Sequence, residues 1–294
     1  MTEPREKISG MVICLNEARR IDDCLRSLAF CDEIVVIDSG STDGTPAIVE
    51  QHKARLLRRP FVSWNDQKDF GREQATGPWV LNIDADEVVS EALAQEICAR
   101  LEARVDPSVG GFEIPFRNYL RSTWLRRAGF YPDPHVRLVR KDRARWDRGA
   151  VHDRVEIDGR IERLSGHVDH YSFDSIADYL EKSNIYAEAF ARHAHARGRR
   201  TGAFGITLHA LARFVRAYFV ELGVLDGALG LIMSSLQAAG TFQKYARLWE
   251  LQRFGAPELP APKLGDPWEA QRIPGSAHAS DPSKTAESSK TAEN

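Results

Sequence analysis

The chain reads as an α/β protein, a mostly parallel sheet sandwiched by helices and followed by a helical extension. Three observations predict this. Short apolar, β-branched runs alternate with stretches of helical periodicity over the first hundred residues or so, the pattern of a parallel sheet with helical crossovers. Three of those runs end in polar groups, at Asn16, Asp38 and Asp84, and ligands of such sheets bind beyond the carboxyl ends of the strands. From residue 174 to about 254 the pattern is helical.

Taken in order, residues 10–15 form an apolar strand, and 17–30 a helix with Ile21, Leu25 and Leu28 on one face. Residues 33–37 are a second strand. Asp38-Ser39-Gly40-Ser41-Thr42-Asp43-Gly44 is turn chemistry that opens a helix through Thr45 and Pro46. Residues 54–57 are a third strand, 66–75 a helix, 79–83 a fourth strand, and 90–101 a helix capped by Ser90. Stretches 111–116, 135–139 and 151–157 have β character and extend the sheet into a mixed region, which forms the acceptor side of a site. The tail from Gly255 is rich in Pro, Ala, Ser and Lys and ends in a repeated Ser-Lys-Thr-Ala-Glu, a composition that predicts disorder.

Composition narrows the function. With 294 residues, 43% apolar and 28% charged, the chain supports one large globular domain or a domain with an appendage. A net charge of −2 argues against a general nucleic-acid binder, which needs a basic excess. The polar start, Met1-Thr2-Glu3-Pro4-Arg5-Glu6-Lys7, has no secretory character. Cys14, Cys24, Cys31 and Cys98 show no C-x-x-C spacing, so they read as buried thiols of a reduced, cytoplasmic protein rather than a zinc site. No charge-free apolar run has the length that spans a bilayer; the nearest, between Asp226 and Lys244, is interrupted by Gly, Ser and Gln.

The densest chemistry lies in Trp79-Val80-Leu81-Asn82-Ile83-Asp84-Ala85-Asp86-Glu87, an apolar strand ending in three carboxylates. Buried unpaired, these would be costly, so a cation belongs beside them. Hard divalent ions such as Mg²⁺ or Mn²⁺ take oxygen ligands and often bridge substrate phosphates. On a regular strand Asp84 and Asp86 point to opposite faces, so both approach one metal only if the strand breaks there. An acidic strand end facing solvent is the plainer alternative.

Three segments sit together at strand ends: Leu15-Asn16-Glu17, then Val36-Ile37-Asp38-Ser39-Gly40-Ser41-Thr42-Asp43-Gly44-Thr45, then Asp84-Ala85-Asp86-Glu87. Together they resemble the inverting family-two glycosyltransferases with a GT-A fold, a Rossmann-like sheet sandwiched by helices. Trp64-x-x-Gln67-Lys68, Arg137-Leu138-Val139-Arg140, Val151-His152-Asp153, His170-Tyr171-Ser172 and Leu225-Asp226-Gly227 resemble the branch that acts on lipopolysaccharide cores. The resemblance covers roughly residues 8–250. It implies a catalytic domain over 1–172 (nucleotide-sugar half 8–104, acceptor half 105–172), a helical extension over 173–254 and a tail over 255–294.

The resemblance also implies roles. Asp38 accepts a base N–H, although an Asp there equally suits an N-cap or Asx-turn. Asn16 shares that ambiguity, and Glu17 lies near the ribose. Asp86 is the metal ligand, Asp84 contacts the ribose or the metal, and His170 is a further ligand, or else a packed histidine. Lys68 and Arg137 bind the nucleotide sugar, with Arg72 and Arg140 as further phosphate candidates or solvated surface charges. Asp153 is the base, where the branch usually has Glu; Asp147 is its competitor, and Asp158 belongs to a turn. Asp69 stands where the family often has Asn.

The reaction this resemblance implies moves a sugar, glucose from UDP-glucose as the family-led choice, to a hydroxyl of a lipid-linked saccharide, and it has two rivals. One is an impaired sugar-binding or scaffold protein of the same fold, kept open by Asp153 and Asp69. The other is a nucleotidyltransferase, which would carry a glycine-rich loop where Asn16-Glu17-Ala18-Arg19-Arg20 stands. Neither a Ser nucleophile elbow nor a phosphate-binding G-x-x-x-x-G-K-[ST] loop is present. In 206–222, Leu208, Leu211, Phe214, Val215, Tyr218, Phe219 and Leu222 share one helical face, with His209, Arg213, Arg216 and Glu221 opposite. Such a helix packs on the catalytic domain or docks on the inner leaflet of the membrane.

Overall fold

Strand β1 (Ile8–Cys14) is buried at every position, as the centre of a parallel sheet requires. It pairs in parallel with β2 (Glu33–Asp38) on one side and β4 (Trp79–Asp84) on the other, and β3 (Arg55–Arg58) extends the parallel set beyond β2. Between them run α1 (Ile21–Ser27), α2 (Thr45–Gln51) and α3 (Trp64–Gln74). The computed structural model describes residues 5–147 and 155–256.

Beyond β4 the sheet becomes mixed, with antiparallel and parallel pairs. Strand β5 (Glu87–Val89) follows β4 directly, then come α4 (Glu91–Glu102), β6 (Val109–Leu120), β7 (Thr123–Trp124) and β8 (Asp133–Arg140). A two-stranded ribbon of β9 (Ala144–Trp146) and β10 (Val155–Ile157) precedes β11 (Arg160–Arg163) and β12 (Val168–Phe173). The main sheet runs β3-β2-β1-β4-β8-β6-β12-β5, with β7 and β11 also on β6. Strand β5 therefore leaves β4 and rejoins the sheet four strands away, antiparallel to β12.

Two apolar layers hold the sheet. On one face Trp79, Phe112 and Phe116 pack with Leu93, Ile97 and Leu101 of α4 and with Leu25 and Leu28. On the other, Met11, Val80 and Val139 meet Trp146. Helix α3 lies close on β1 because position 71 is glycine: a Cβ there would overlap Met11 Sδ. Ser63, Ser90 and Ser175 cap their helices by accepting from the backbone N–H three residues on, at 3.1, 3.3 and 3.1 Å.

Several elements depart from the sequence expectation. The helix expected over 17–30 is Ile21–Ser27, because Asn16 takes φ +56° and the N–H groups of Asn16, Glu17 and Ala18 bond to Ser41, Thr45 and Asp43 side chains. The strand expected at 111–116 runs Val109–Leu120. The helical stretch divides into α5 (Ile176–Ala196), α6 (Ala203–Val215), a π-helical turn (Arg216–Val220), a 3₁₀ turn (Gly223–Asp226) and α7 (Gly227–Phe254). Cys14 and Cys24 are buried, whereas Cys31 and Cys98 are half-buried; all four are free. The tail expected to be disordered lies, from residue 257 on, outside the described residues.

Candidate active site

The break between β4 and β5 makes the site. Strand β4 ends at Asp84, Ala85 and Asp86 form a turn, and Glu87 opens β5. Because β5 pairs with β12, the turn carries the chain across the sheet and sets Glu87 opposite His170, and Tyr171 N–H donates to Asp86 O at 3.0 Å. The two aspartates then part. Asp86 Oδ2 lies 3.4 Å from His170 Nε2 and 3.6 Å from Arg20. Asp84 lies 3.1 Å from Arg137 and 3.5 Å from Lys68.

Glu87, which sequence reasoning left without a role, is fully buried. Its Oε2 accepts from Asp84 N–H at 2.8 Å and its Oε1 from Arg137 at 2.5 Å. Arg137 also lies over the Phe116 ring, 5.0 Å from its centroid. Burial pushes the Glu87 carboxyl up to about 8 against the pull of Arg137. Burial also acts on Asp84, but Lys68 and Arg137 outweigh it and hold that carboxyl well below its usual range.

His170 is oriented by Asn118. The Asn118 amide donates to Phe130 O at 3.1 Å and Asp133 at 3.0 Å, so its oxygen faces His170 Nδ1 at 3.0 Å and Ser172 Oγ at 2.7 Å. That oxygen only accepts, so Nδ1 carries a proton and Nε2 is directed at Asp86. Burial pulls the imidazole down, but the hydrogen bond and charge of Asp86 hold its pKa above the ordinary value. Burial likewise works against the Asp86 charge, and His170 overcomes it, leaving that carboxyl below its ordinary value.

The other candidates surround this pair. Asn16 Oδ1 accepts from Thr42 N–H at 2.9 Å, tying the end of β1 to the turn after β2. Glu17 is pushed up to about 7 by burial and then by Asp86, with Arg20 and Lys182 opposing. Asp38 is fully buried and accepts from the N–H of Ser41, three residues on, at 3.1 Å, a capping contact rather than an Asx-turn. It also accepts from Cys14 Sγ of β1 at 3.7 Å, so the carboxylate joins the ends of β1 and β2 to the turn. Arg72 bonds Asp69 at 2.9 Å and Lys141 O at 3.1 Å. Asp69 also accepts from Trp146 N–H, which gives that departure from the family pattern a packing role. Arg140 pairs with Glu6 and lies over Trp79, at the opposite end of β4 from the site. Asp147 O accepts from Asn65 at 2.9 Å, and Asp158 precedes Gly159 (φ +130°) in the expected turn. Val151-His152-Asp153 lies outside the described residues.

Two cations were missed in the sequence. Arg20 reaches Asp86 and Tyr171 O at 2.6 Å and pairs with Asp174. Lys182 of α5 donates to Ser172 O at 2.6 Å and acts on Asp86 and Glu17. Arg20 sat visibly beside Asn16-Glu17; nothing local in the sequence marked Lys182, which the helical extension brings to the site.

A sequence model described as Glycosyl transferase family 2 matches residues 9–157. The chain belongs to glycosyl transferase family 2. Within that family it is 30% identical over 257 residues to the lipopolysaccharide core biosynthesis glycosyltransferase LpsC of Rhizobium meliloti (strain 1021), covering 83% of this chain and 94% of that protein. An uncharacterized glycosyltransferase of Rickettsia felis is 31% identical over 255 residues, 83% of this chain and 90% of its own. Among solved structures, the mannosyltransferase PcManGT from Pyrobaculum calidifontis, in complex with GDP-Man and Mn²⁺, aligns with TM-score 0.48 and 17% identity over 84% of this chain and 88% of that one. S. aureus TarS 1-349 aligns with TM-score 0.43 and 16% identity over 86% and 93%. The family-two chain is a glycosyltransferase built on a mixed sheet flanked by helices, with additional C-terminal helices.

Proposed function

We propose that this glycosyltransferase moves a sugar, with inversion, from a nucleotide-diphosphate donor to a hydroxyl of a lipid-linked saccharide of the lipopolysaccharide-core type. The observation that carries the reading is the Asp86–His170 pair set beyond the carboxyl ends of β1, β2 and β4. The lipopolysaccharide-core role of the Rhizobium relative supports the acceptor class. UDP-glucose is the proposed donor.

The residues present fit a divalent cation such as Mg²⁺ or Mn²⁺. Ligand atoms of Asp86, Glu87 and His170 lie within 4.8 Å of one another; the carboxylate suits either ion, and the imidazole favours Mn²⁺ over the harder Mg²⁺. Glu87 is engaged by Arg137, so Asp86 and His170 are the proposed ligands. Bound there, the ion would neutralise the diphosphate as it leaves. Asn118 keeps His170 Nε2 aimed at Asp86. Arg20 and Lys182 flank the leaving phosphates. Lys68 and Arg137 hold Asp84, which with Glu17 faces the ribose, and Asn16 and Asp38 shape the turn that receives the base. The acceptor hydroxyl is the nucleophile, and Asp153 takes its proton on the strength of its sequence motif.

The test is a thermal-shift panel of nucleotide sugars with and without Mn²⁺ or Mg²⁺, on wild type and Asp86→Ala. A ligand that binds the folded state raises the melting temperature. Metal-dependent stabilisation by one nucleotide sugar, lost in Asp86→Ala, is expected. No shift with any donor overturns the donor site. Asp153→Asn should keep the shift and lose transfer; unchanged transfer removes Asp153 as the base and favours Asp147.

A further inference from the structure

Helix α6 and the π-helical turn after it leave most of an apolar stripe uncovered by the protein. The stripe faces solvent: Leu208, Leu211 and Val215 of α6 and Phe219 of the turn are 50%, 57%, 42% and 56% exposed. On the inner side Ile206 is buried in the apolar cluster that includes Tyr245, Leu248 and Leu251 of α7, and the groups that follow are small or polar. Ala217 is fully buried, and Arg213 points inward to Glu221 at 3.2 Å and to Gln237. His209 stacks on Tyr245 of α7 with centroids 4.0 Å apart. The stripe runs on into the bend between α6 and α7, where Val220 and Leu225 are 71% and 62% exposed. Leu222 at that bend holds φ +58°, a conformation that bulky side chains adopt rarely. An exposed apolar face of this extent marks an interaction surface.

The charge around it says what covers it. Residues 197–249 contain seven Lys and Arg and two carboxylates, Glu221 and Asp226. Both carboxylates are neutralised within the protein, Glu221 by Arg213 and Arg216 and Asp226 by Arg127. Arg197 and Arg200, just before α6, are exposed. The surface is therefore apolar, with the exposed Arg197 and Arg200 just before its helix and the largely exposed Arg216 beside it, complementary to a bilayer bearing anionic headgroups.

We propose that α6 and the bend at 216–226 lie in the interface of an anionic membrane, with Phe219, Val220 and Leu225 inserted and the arginines at headgroup level. The inference rests on the reading above for the acceptor's lipid anchor. Lying on the membrane fits better than crossing it. Among the described residues no single helix is long and apolar enough to span, and the α6–α7 pair reaches that length only across a 67° bend. Tyr245, Leu248 and Leu251 of α7 are moreover packed against Ala191 and Ala194 of α5. The bend is also joined to the site: Ala128 N–H donates to Glu221 O at 2.9 Å, and Phe130 O receives the Asn118 amide that orients His170.

The experiment is co-sedimentation of the full chain with vesicles of phosphatidylethanolamine and phosphatidylglycerol, against vesicles of phosphatidylcholine alone. Two variants are compared, Phe219→Ser/Val220→Ser/Leu225→Ser and Arg197→Gln/Arg200→Gln, each checked for an unchanged melting curve. Wild type should bind the anionic vesicles. The apolar triple should weaken partitioning by at least about a hundredfold, and the arginine pair by about twenty-five-fold. Added salt should reproduce the second loss. Equal binding by all three proteins overturns the proposal. So does a wild type that self-associates without lipid and becomes monomeric in the triple variant, since the face is then covered by a second copy. Nucleotide-sugar thermal shifts on the same variants should match wild type; their absence in every protein, alongside vesicle binding, defeats the proposed donor site and leaves the membrane surface standing.

Discussion

Arg137→Met is the sharpest probe of how the acidic break is held. Arg137 is the described cation touching both Glu87, at 2.5 Å, and Asp84, at 3.1 Å, and the Glu87 side chain has no exposure. Methionine keeps much of the apolar stem over Phe116, so the charge is the main thing lost. Removing one partner of a buried ion pair costs about 3–5 kcal/mol when the other stays charged. Here the cost depends on pH. Glu87 sits near 8 in the fold against an ordinary 4.5, so the folded state holds a proton that the unfolded chain has lost. Stability from this group is present below the ordinary value and falls as pH rises through about 8. Without Arg137 the carboxyl rises further, and the decline continues to higher pH.

At pH below Glu87's folded value the substitution should therefore cost about 1.5–3 kcal/mol, the loss of charge-assisted hydrogen bonds alone. Above it the gap from wild type should widen by about 1.4 kcal/mol per pH unit. Urea unfolding followed by tryptophan fluorescence in a chelating buffer, on both sides of that value, measures this. In a Glu87→Gln background the Arg137→Met cost should lose its pH dependence. A cost that is the same at both pH values, with and without Glu87, would refute the reasoning.

Three further outcomes are expected. Glu17→Gln should abolish a fall in stability that wild type shows between the ordinary 4.5 and about 7, worth about 3 kcal/mol at most; urea midpoints across that window read it. Lys182→Met should weaken nucleotide-sugar binding by at least about tenfold, while leaving the melting temperature of the free protein nearly unchanged, as calorimetric titration and thermal melts would report. Ser175→Ala removes the cap of α5, which accepts from Asp178 N–H at 3.1 Å; it should cost about 1 kcal/mol in urea unfolding.

The parallel half of the sheet was legible because its strands are buried on both faces and so appear as unbroken apolar runs, such as Met11-Val12-Ile13-Cys14 and Ile34-Val35-Val36-Ile37. Strands β5 and β12 were not. Glu87-Val88-Val89 is too short to carry a period, and Val168-Asp169-His170-Tyr171-Ser172-Phe173 is polar at its centre. Each is a strand because the other, or β6, pairs with it, and pairing across eighty residues leaves no local trace. Similarly, the wheel of 206–222 shows an amphipathic helix but not which face turns outward. That depended on Arg213 finding Glu221 and Gln237 inside the protein.

The same limit applied to the acidic run, where spacing alone made Asp84 and Asp86 look like a pair. Their separation follows from topology. Asp84 still belongs to β4, where β8 supplies Arg137 and α3 supplies Lys68. Asp86 has already left for β12, where it meets His170. One carboxylate is thus neutralised by two cations of the protein. The other faces an imidazole whose Nε2 can exchange a proton for a metal ion. Because His170 is held above its ordinary pKa, that exchange is opposed by protons, and apparent Mn²⁺ affinity should rise with pH through the histidine titration. Replacing Asn118 with Leu should release the ring and lower Mn²⁺ affinity by about ten- to a hundredfold, although Asn118 touches neither proposed donor nor ion. Mn²⁺ titration of wild type and Asn118→Leu, each across that pH range, separates orientation of the ring from its protonation: an unchanged affinity in the variant would mean that the β4–β5 turn alone positions the site.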